Sequence, residues 1–214
     1  PPMALPAGRT RPSARRTLEN ALRRAGHRWV AGVDEVGRGC LAGPVTAAAV
    51  VLDPDRPIPG LRDSKLLSAA ARERLHDRIL RQAIAWQVVS LSVAEIDALN
   101  IHRASLAAMR TAVLSLDPPA DYVLADGFAL PDLPVPHQGL VKGDQRCACI
   151  AAASIVAKVT RDRLMVAMDQ DDPRYGYARH KGYATAEHLA AIRLHGRTDA
   201  HRRSFRPTTL LDLL

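Results

Sequence analysis

Four acidic residues in this sequence stand at or just past the ends of short apolar runs. Asp34 and Glu35 follow residues 29–33, Asp126 follows residues 122–125, and Asp144 follows residues 138–141, each beside or near a glycine. Runs of this length predict buried strands, and ligands of α/β folds gather beyond the carboxyl ends of strands, where loops converge. Carboxylates brought together in a crevice repel one another and lose hydration, which is unfavourable unless a cation compensates them. Hard oxygen donors select Mg2+ or Mn2+ over zinc. Two such ions roughly 4 Å apart activate an attacking water and stabilise the leaving oxygen in phosphodiester hydrolysis. The competing reading leaves adjacent acids at a strand end in solvent. No Ser-His-Asp or Cys-His arrangement and no phosphate-binding loop competes, and Gly37-Arg38-Gly39 is too short for a dinucleotide fingerprint.

Bringing these acids together is the task of the surrounding elements. Thr17 is expected to cap a helix over 18–25 that Gly26 ends. Strands are expected over 27–33 and 46–52, joined closely enough to pair antiparallel. Ser68 caps a helix over 69–85 with Leu75, Ile79 and Ala83 on one face and Arg72, Arg78 and Gln82 on another. A strand over 86–92 and helices over 94–99 and 101–116 follow, the last stopped by Asp117-Pro118-Pro119. Strands over 122–125 and 138–141 precede a helix over 150–169, whose Ala151-Ala152-Ala153-Ser154 start permits close packing on a sheet. A helix over 185–195 sits in the tail. This order predicts one α/β domain with helices on both faces of the sheet, without internal repeats.

Composition narrows the partners. The chain has 214 residues, 47% of them hydrophobic, which excludes a mostly disordered protein. No apolar run approaches the roughly 20 residues that cross a bilayer, and the Pro- and Arg-rich start has no apolar core, so neither a membrane span nor a secretory signal is expected. Cys40, Cys147 and Cys149 are odd in number and without zinc spacing, and read as reduced thiols of a cytoplasmic protein. Net charge is +8, unevenly spread. Residues 1–30 hold seven arginines and one acid, and 179–214 hold seven basic residues and three acids, around a near-neutral middle. Basic ends fit a polyanionic partner, because arginine and lysine displace condensed counterions from phosphates. Residues 1–16, with Pro, Gly and four arginines but no periodicity, are expected to form a flexible basic arm, leaving 17–214 as a single domain.

The motifs resemble the ribonuclease HII family, the bacterial type 2 ribonucleases H. They run nearly end to end: VDEVGRG at 33–39, AGPV at 42–45, DSK at 63–65, EIDALNI at 95–101, LADG at 124–127 and KGD at 142–144. IAAASIVAKVTRDR at 150–163, YGYARHKGY at 175–183 and HRRSF at 201–205 complete the series. The resemblance implies a ribonuclease H-like fold, a five-stranded mixed sheet flanked by helices, with a helical extension over about 170–214. It implies an endonuclease that cuts the RNA strand of RNA–DNA hybrids, and cuts 5′ to ribonucleotides embedded in duplex DNA, leaving 3′-OH and 5′-phosphate ends. A resolvase-like metal nuclease of the same fold and a non-catalytic hybrid-binding module are the alternatives.

Residue by residue, the resemblance makes Asp34, Glu35, Asp126 and Asp144 the catalytic, metal-binding acids for two Mg2+ or Mn2+ ions. Gly37, Arg38 and Gly39 match the motif that reads the ribose 2′-OH, the group that distinguishes RNA from DNA at one nucleotide. Tyr183 matches the tyrosine that stacks on the neighbouring deoxyribose; without the resemblance it reads as a buried tyrosine. Ser64, Lys65, Lys142, Lys158 and Arg161 are candidate substrate contacts, although Lys158 and Arg161 also suit a solvated helix face, and Ser154 reads as helix packing. His180 and His201 read as structural or phosphate-facing. The family often has a second lysine where Leu66 stands, and residues 208–214 lack the Gln-and-paired-aromatic pattern of sliding-clamp ligands, which argues against clamp docking there. A monomer acting on hybrid or ribonucleotide-containing duplex is the expected state.

Overall fold

A computed structural model describes residues 14–205. The chain runs through helix α1 (Thr17–Arg24), strands β1 (Val30–Val36) and β2 (Val45–Val51), helix α2 (Ala69–Gln82), strand β3 (Ala85–Leu91), and helices α3 (Val93–Leu99) and α4 (Ile101–Leu114). Strands β4 (Tyr122–Asp126) and β5 (His137–Leu140) follow, then helices α5 (Gly143–Arg146), α6 (Ala148–Asp171), α7 (Tyr177–His180) and α8 (Ala186–His195). The sheet order is β3-β2-β1-β4-β5, with β1 central. Strands β1, β2 and β3 pair antiparallel as consecutive neighbours, whereas β4 and β5 run parallel to β1. The expected mixed five-stranded sheet with helices on both faces is thus present.

Alternation along β1 sorts its side chains between two cores. Val30 packs with Ala48, Val50, Leu124 and the start of α6, while Ala31 and Val33 pack with Ala47, Ala49 and the α4 residues Met109 and Val113. Continued by one step each way, this alternation sends Asp34 to the α6 face and Glu35 to the α4 face. Strand β1 does not stop before the acids, as expected from the apolar run. It continues to Val36, because β2 supplies backbone partners beyond the last apolar residue: Asp34 lies opposite Ala48 and Glu35 opposite Ala47. On the other side Val33 lies opposite Ala125 in parallel register. The next pair in that register is Asp34 and Asp126, on strands about 4.8 Å apart.

Helix α6 lies unusually close to β1. A Cβ at Gly32 would run into the backbone of Cys149 and Ile150, so only glycine permits this approach. The alanines at 151–153 are fully buried there, as their small size predicted. The helix starts two residues earlier than expected, because the buried Glu19 carboxylate of α1 accepts from Cys149 N at 2.9 Å and satisfies one of its first-turn donors. Thr17 is not the cap of α1; Arg16 holds that position without a side-chain cap bond. Helix α2 begins at the Ser68 cap but ends before 85, because Ile84 N donates to Val51 O at 2.9 Å and carries the chain into the sheet.

Of the expected basic arm, residues 1–13 lie outside the described residues. Residues 14–16 are docked: Ala14 N donates to Leu61 O at 2.8 Å and Arg16 Nη1 to Asp53 O at 2.6 Å. Beyond α6, Tyr175, Tyr177 and Ile192 join Leu41, Ala42 and Met165 in a separate small core, which clamps the tail to the turn after β1. Among the described residues no helix is long and apolar enough to cross a membrane.

The α6–β1 contact yields a stability test. Gly32→Ala should destabilise the protein by about 2–3 kcal/mol, as overpacking against backbone does. Gly39→Ala, whose Cβ meets nothing within 4 Å, should change stability by less than about 0.5 kcal/mol. Urea unfolding of both variants checks the contrast.

Candidate active site

Asp34, Glu35, Gly37, Arg38, Gly39, Ser64, Lys65, Asp126, Lys158 and Tyr183, all singled out in the sequence, line one cleft of about 360 Å³ together with Val36 and Ser154. Strand β1 brings Asp34 and Glu35, the turn after it Gly37, Arg38 and Gly39, the end of β4 brings Asp126, α6 brings Ser154 and Lys158, and the loop after α7 brings Tyr183. Asp34 is 7% exposed. Burial pushes its carboxyl well above the ordinary carboxylate value, and the charges of Glu35 and Asp126 push it further. The nearby Ser154 hydroxyl and the Glu35 N–H, which donates to Asp34 at 2.7 Å, oppose that shift without cancelling it. Burial also raises Glu35, against the pull of the Arg38 guanidinium 3.1 Å away.

Asp144 sits behind this group rather than among the lining residues. It lies on α5, not on a loop. Gly143 N of the same helix donates to Asp126 Oδ1 at 2.7 Å, which binds α5 to the end of β4. Burial, then the charges of Asp63 and Asp126, raise Asp144 to about 6. Asp63 is a buried acid that sequence reasoning passed over. Its Oδ1 accepts from Lys65 N at 2.9 Å and its Oδ2 from Gln145 Nε2 at 3.4 Å, so it joins the Ser64 turn to α5. The DSK motif marked it. Ser154 was read as helix packing, yet it faces the cleft and shares a 3.0 Å hydrogen bond with Ser64.

Two expected substrate contacts do not reach the cleft. Arg161 is fully buried, donating through Nε to Pro44 O (2.8 Å), through Nη1 to Lys181 O (2.9 Å) and through Nη2 to Ala42 O (3.2 Å). Three of its five N–H groups are so engaged and the side chain is 0% exposed, so it acts as a strut and presents no donor at the surface. Lys142 is exposed, in a left-handed conformation before α5, and lies outside the lining residues.

Arg202 is a second strut. It is 1% exposed and donates to Gly43 O (3.0 Å from Nε), Arg38 O (3.0 Å) and Pro44 O (3.1 Å). Together the two arginines gather the carbonyls of Arg38, Ala42, Gly43 and Pro44. A Cβ at Gly37, where φ is +92°, would strike the Arg161 side chain. Leu41 N donates to Gly182 O at 2.8 Å, and Tyr183 pairs with Cys40 across an antiparallel bridge. Tyr183 therefore stands 40% exposed over the glycine turn. His180, His188 and His201 are buried beneath it, with His188 Nδ1 2.9 Å from Tyr183 O, and are structural. Cys40, Cys147 and Cys149 are free and buried.

The cleft offers carboxylate and hydroxyl oxygens near Asp34, and burial followed by like charge raises Asp34 and Glu35. That donor set fits hard divalent cations. Among the described residues, the trio of possible ligands lying within 4.8 Å of one another is elsewhere, at Glu73, His76 and Asp77 of α2, where Arg163 pairs with both acids.

The Ribonuclease HII family model matches residues 31–208. The chain belongs to the ribonuclease HII family. It is 57% identical over 178 residues to Ribonuclease HII 2 of Methylibium petroleiphilum, covering 83% of this chain and 82% of that one. To Ribonuclease HII of Salinispora tropica it is 52% identical over 190 residues, covering 88% and 70%. The fold is similar to a structure of the PCNA:RNase HII complex from Archaeoglobus fulgidus, with TM-score 0.71 and 26% identity over 86% of this chain and all of that one. By family the chain is a ribonuclease, a hydrolase of phosphodiester bonds in RNA.

The raised Asp144 gives a signed pH dependence. Its folded value of about 6 exceeds the ordinary 3.8, so between those values the folded state holds more protons than the unfolded one. Metal-free protein should therefore lose stability as pH rises from about 4 to about 6, an effect that Asp144→Asn reduces and that added Mg2+ opposes. Thermal melting at several pH values, with and without EDTA, measures it.

Proposed function

We propose that this enzyme cuts the RNA strand of RNA–DNA hybrids, and cuts duplex DNA on the 5′ side of an embedded ribonucleotide, leaving 3′-OH and 5′-phosphate ends. The observation that carries the reading is one cleft shared by Asp34, Glu35 and Asp126, the Gly37-Arg38-Gly39 turn and Tyr183. Asp34, Glu35, Asp126 and Asp144 would hold Mg2+ or Mn2+. Bound there, the ions supply an activated water and neutralise charge developing on the leaving oxygen.

The chain's own residues supply selection and placement. Gly37 and Gly39 lack a Cβ, so their backbone can come close to a ribose. A 2′-OH both donates and accepts, and a backbone amide with a nearby carbonyl holds it in both senses. Arg38, tethered by Glu35 and 5.7 Å from the Phe128 ring centroid, stands at the edge of the same turn. Tyr183 presents its ring to the sugar on the other side of the junction, where a 2′-OH would collide with it. Lys65 is exposed and Lys158 half-buried on the cleft wall, both placed to draw the phosphate in; Lys158 is ion-paired with Asp162 at 2.7 Å. In the reaction a water oxygen bonds to phosphorus, the P–O3′ bond breaks, and the 3′-oxygen leaves as the hydroxyl of the upstream nucleotide.

Two substitutions test this division. Asp34→Asn should reduce cleavage of a single-ribonucleotide duplex by at least about a thousandfold, while melting of the metal-free protein stays level or rises, since one repelling charge is gone. Substantial activity under saturating Mg2+ or Mn2+ would remove Asp34 from the site. Tyr183→Ala should lower the rate roughly tenfold to a hundredfold and Tyr183→Phe much less, because the ring plane matters more than the hydroxyl. Equal rates for the two variants would make Tyr183 a packing residue only.

A further inference from the structure

A second concavity of about 530 Å³ lies between α2 and the loop before the Ser64 turn, and four guanidiniums surround it: Arg62, Arg74, Arg78 and Arg81. Its wall carries one acid, Asp77, whose carboxylate already faces His76 at 3.0 Å and Arg163 at 3.7 Å. None of the four arginines lies within 4.0 Å of a carboxylate among the described residues, whereas Arg163, Arg174, Arg179 and Arg203 each face one. Arg62 Nε is buried and has no hydrogen-bond partner. Arg74 and Arg81 are exposed, and Arg78 is steadied by Gln82 at 3.2 Å from its Nε.

Spacing and connection give this charge a direction. Arg74, Arg78 and Arg81 stand at helical positions i, i+4 and i+7, so they share a face over about 10 Å, or about three base-pair steps of duplex. The groove begins where the catalytic cleft ends. Arg62 is two residues from Ser64, which lines the cleft, and Arg72 Nη1 ties Ser64 O to α2 at 2.9 Å. Ser64 is in turn bonded to Ser154 of α6. The far end of α2 lies about 20 Å from this junction, at 1.5 Å per residue, which corresponds to about six base pairs.

We propose that this arginine groove binds the phosphate backbone of the duplex flanking the cut site, and so sets how much duplex on one side of the ribonucleotide the enzyme requires. The inference rests on the reading of the cleft given above. Guanidinium groups recognise phosphate by charge and paired donors, and contacts of this kind position a duplex without reading its sequence.

The test uses the full chain, hairpin-capped duplexes with one ribonucleotide, and flanks of about three or about twelve base pairs on either side. For the unsubstituted protein, lengthening one flank should lower KM about tenfold, and lengthening the other should do much less. In Arg74→Gln/Arg78→Gln/Arg81→Gln that gain should collapse to near one. The slope of log affinity for duplex DNA against log salt, read by fluorescence anisotropy, should fall by roughly 2–3, since each phosphate contact contributes about 0.9. The triple lysine variant should keep most of the slope, which separates lost charge from a damaged helix. A glutamine variant with unchanged slope and unchanged flank gain overturns the groove. Failure of the unsubstituted protein to cut any of the duplexes would instead overturn the reading of the cleft, and the anisotropy slopes would still decide the groove.

Discussion

Mutual repulsion among buried carboxylates is the constraint that shapes the centre of this protein. Parallel register between β1 and β4 places Asp34 beside Asp126 on the same face of the sheet, and Asp144 and Asp63 approach from α5 and the Ser64 turn. The fold meets this concentration of charge with dipoles more than with opposite charges. Glu35 N donates to Asp34, Gly143 N to Asp126 and Lys65 N to Asp63, while among the described residues Arg38 is the guanidinium that pairs with an acid of the cleft. These donors orient the oxygens without neutralising them. Asp34, Glu35 and Asp144 stay raised above the ordinary carboxylate value, and like charge at such spacing favours a divalent cation between the oxygens.

Such an arrangement depends on backbone precision that side-chain packing alone would not deliver. Gly32 lets α6 lie against β1, and Glu19 satisfies the start of that helix from across the domain. Ser154 and Lys158 then fall one and two turns along α6 from the point of contact, which brings both into the cleft. The acid cluster and the helix contact are thus a single design. Loosening the contact would move the groups that orient Asp34.

The glycine turn after β1 is built by a different means. Arg161 and Arg202 are buried without a carboxylate partner among the described residues, and burial pulls Arg202 down to about 10. Buried charge of this kind is tolerated when it is hydrogen-bonded, and here the donors meet the carbonyls of Arg38, Ala42, Gly43, Pro44 and Lys181. A turn with positive φ at Gly37 and Gly43 leaves carbonyls with no strand or helix to receive them. Two forked donors collect those carbonyls and lock the turn to the tail that carries Tyr183. Shaping the turn and holding the tail in place are therefore one structural problem with one solution.

Much of this was legible in the sequence. Apolar runs broken by acids and glycine located the strands, the alanine-rich stretch announced a helix packed tightly on the sheet, and ordered motifs from residue 33 to 205 gave the family. Those features are local or carried by residue type, so a linear reading reaches them. What the chain could not disclose depends on contacts between distant segments. The extension of β1 through Asp34 and Glu35 was decided by pairing with β2, and the start of α6 by Glu19, 130 residues away. Arg161 looked like a phosphate contact and became a strut, because helix position alone does not say whether a side chain faces solvent or a carbonyl-lined interior. Ser154 looked like packing and became part of the site for the same reason. The sequence by itself determined the chemistry available and the elements that carry it; the tertiary structure decided which charges face the substrate and which hold the chain, because that choice is made by neighbours brought together only when the sheet closes.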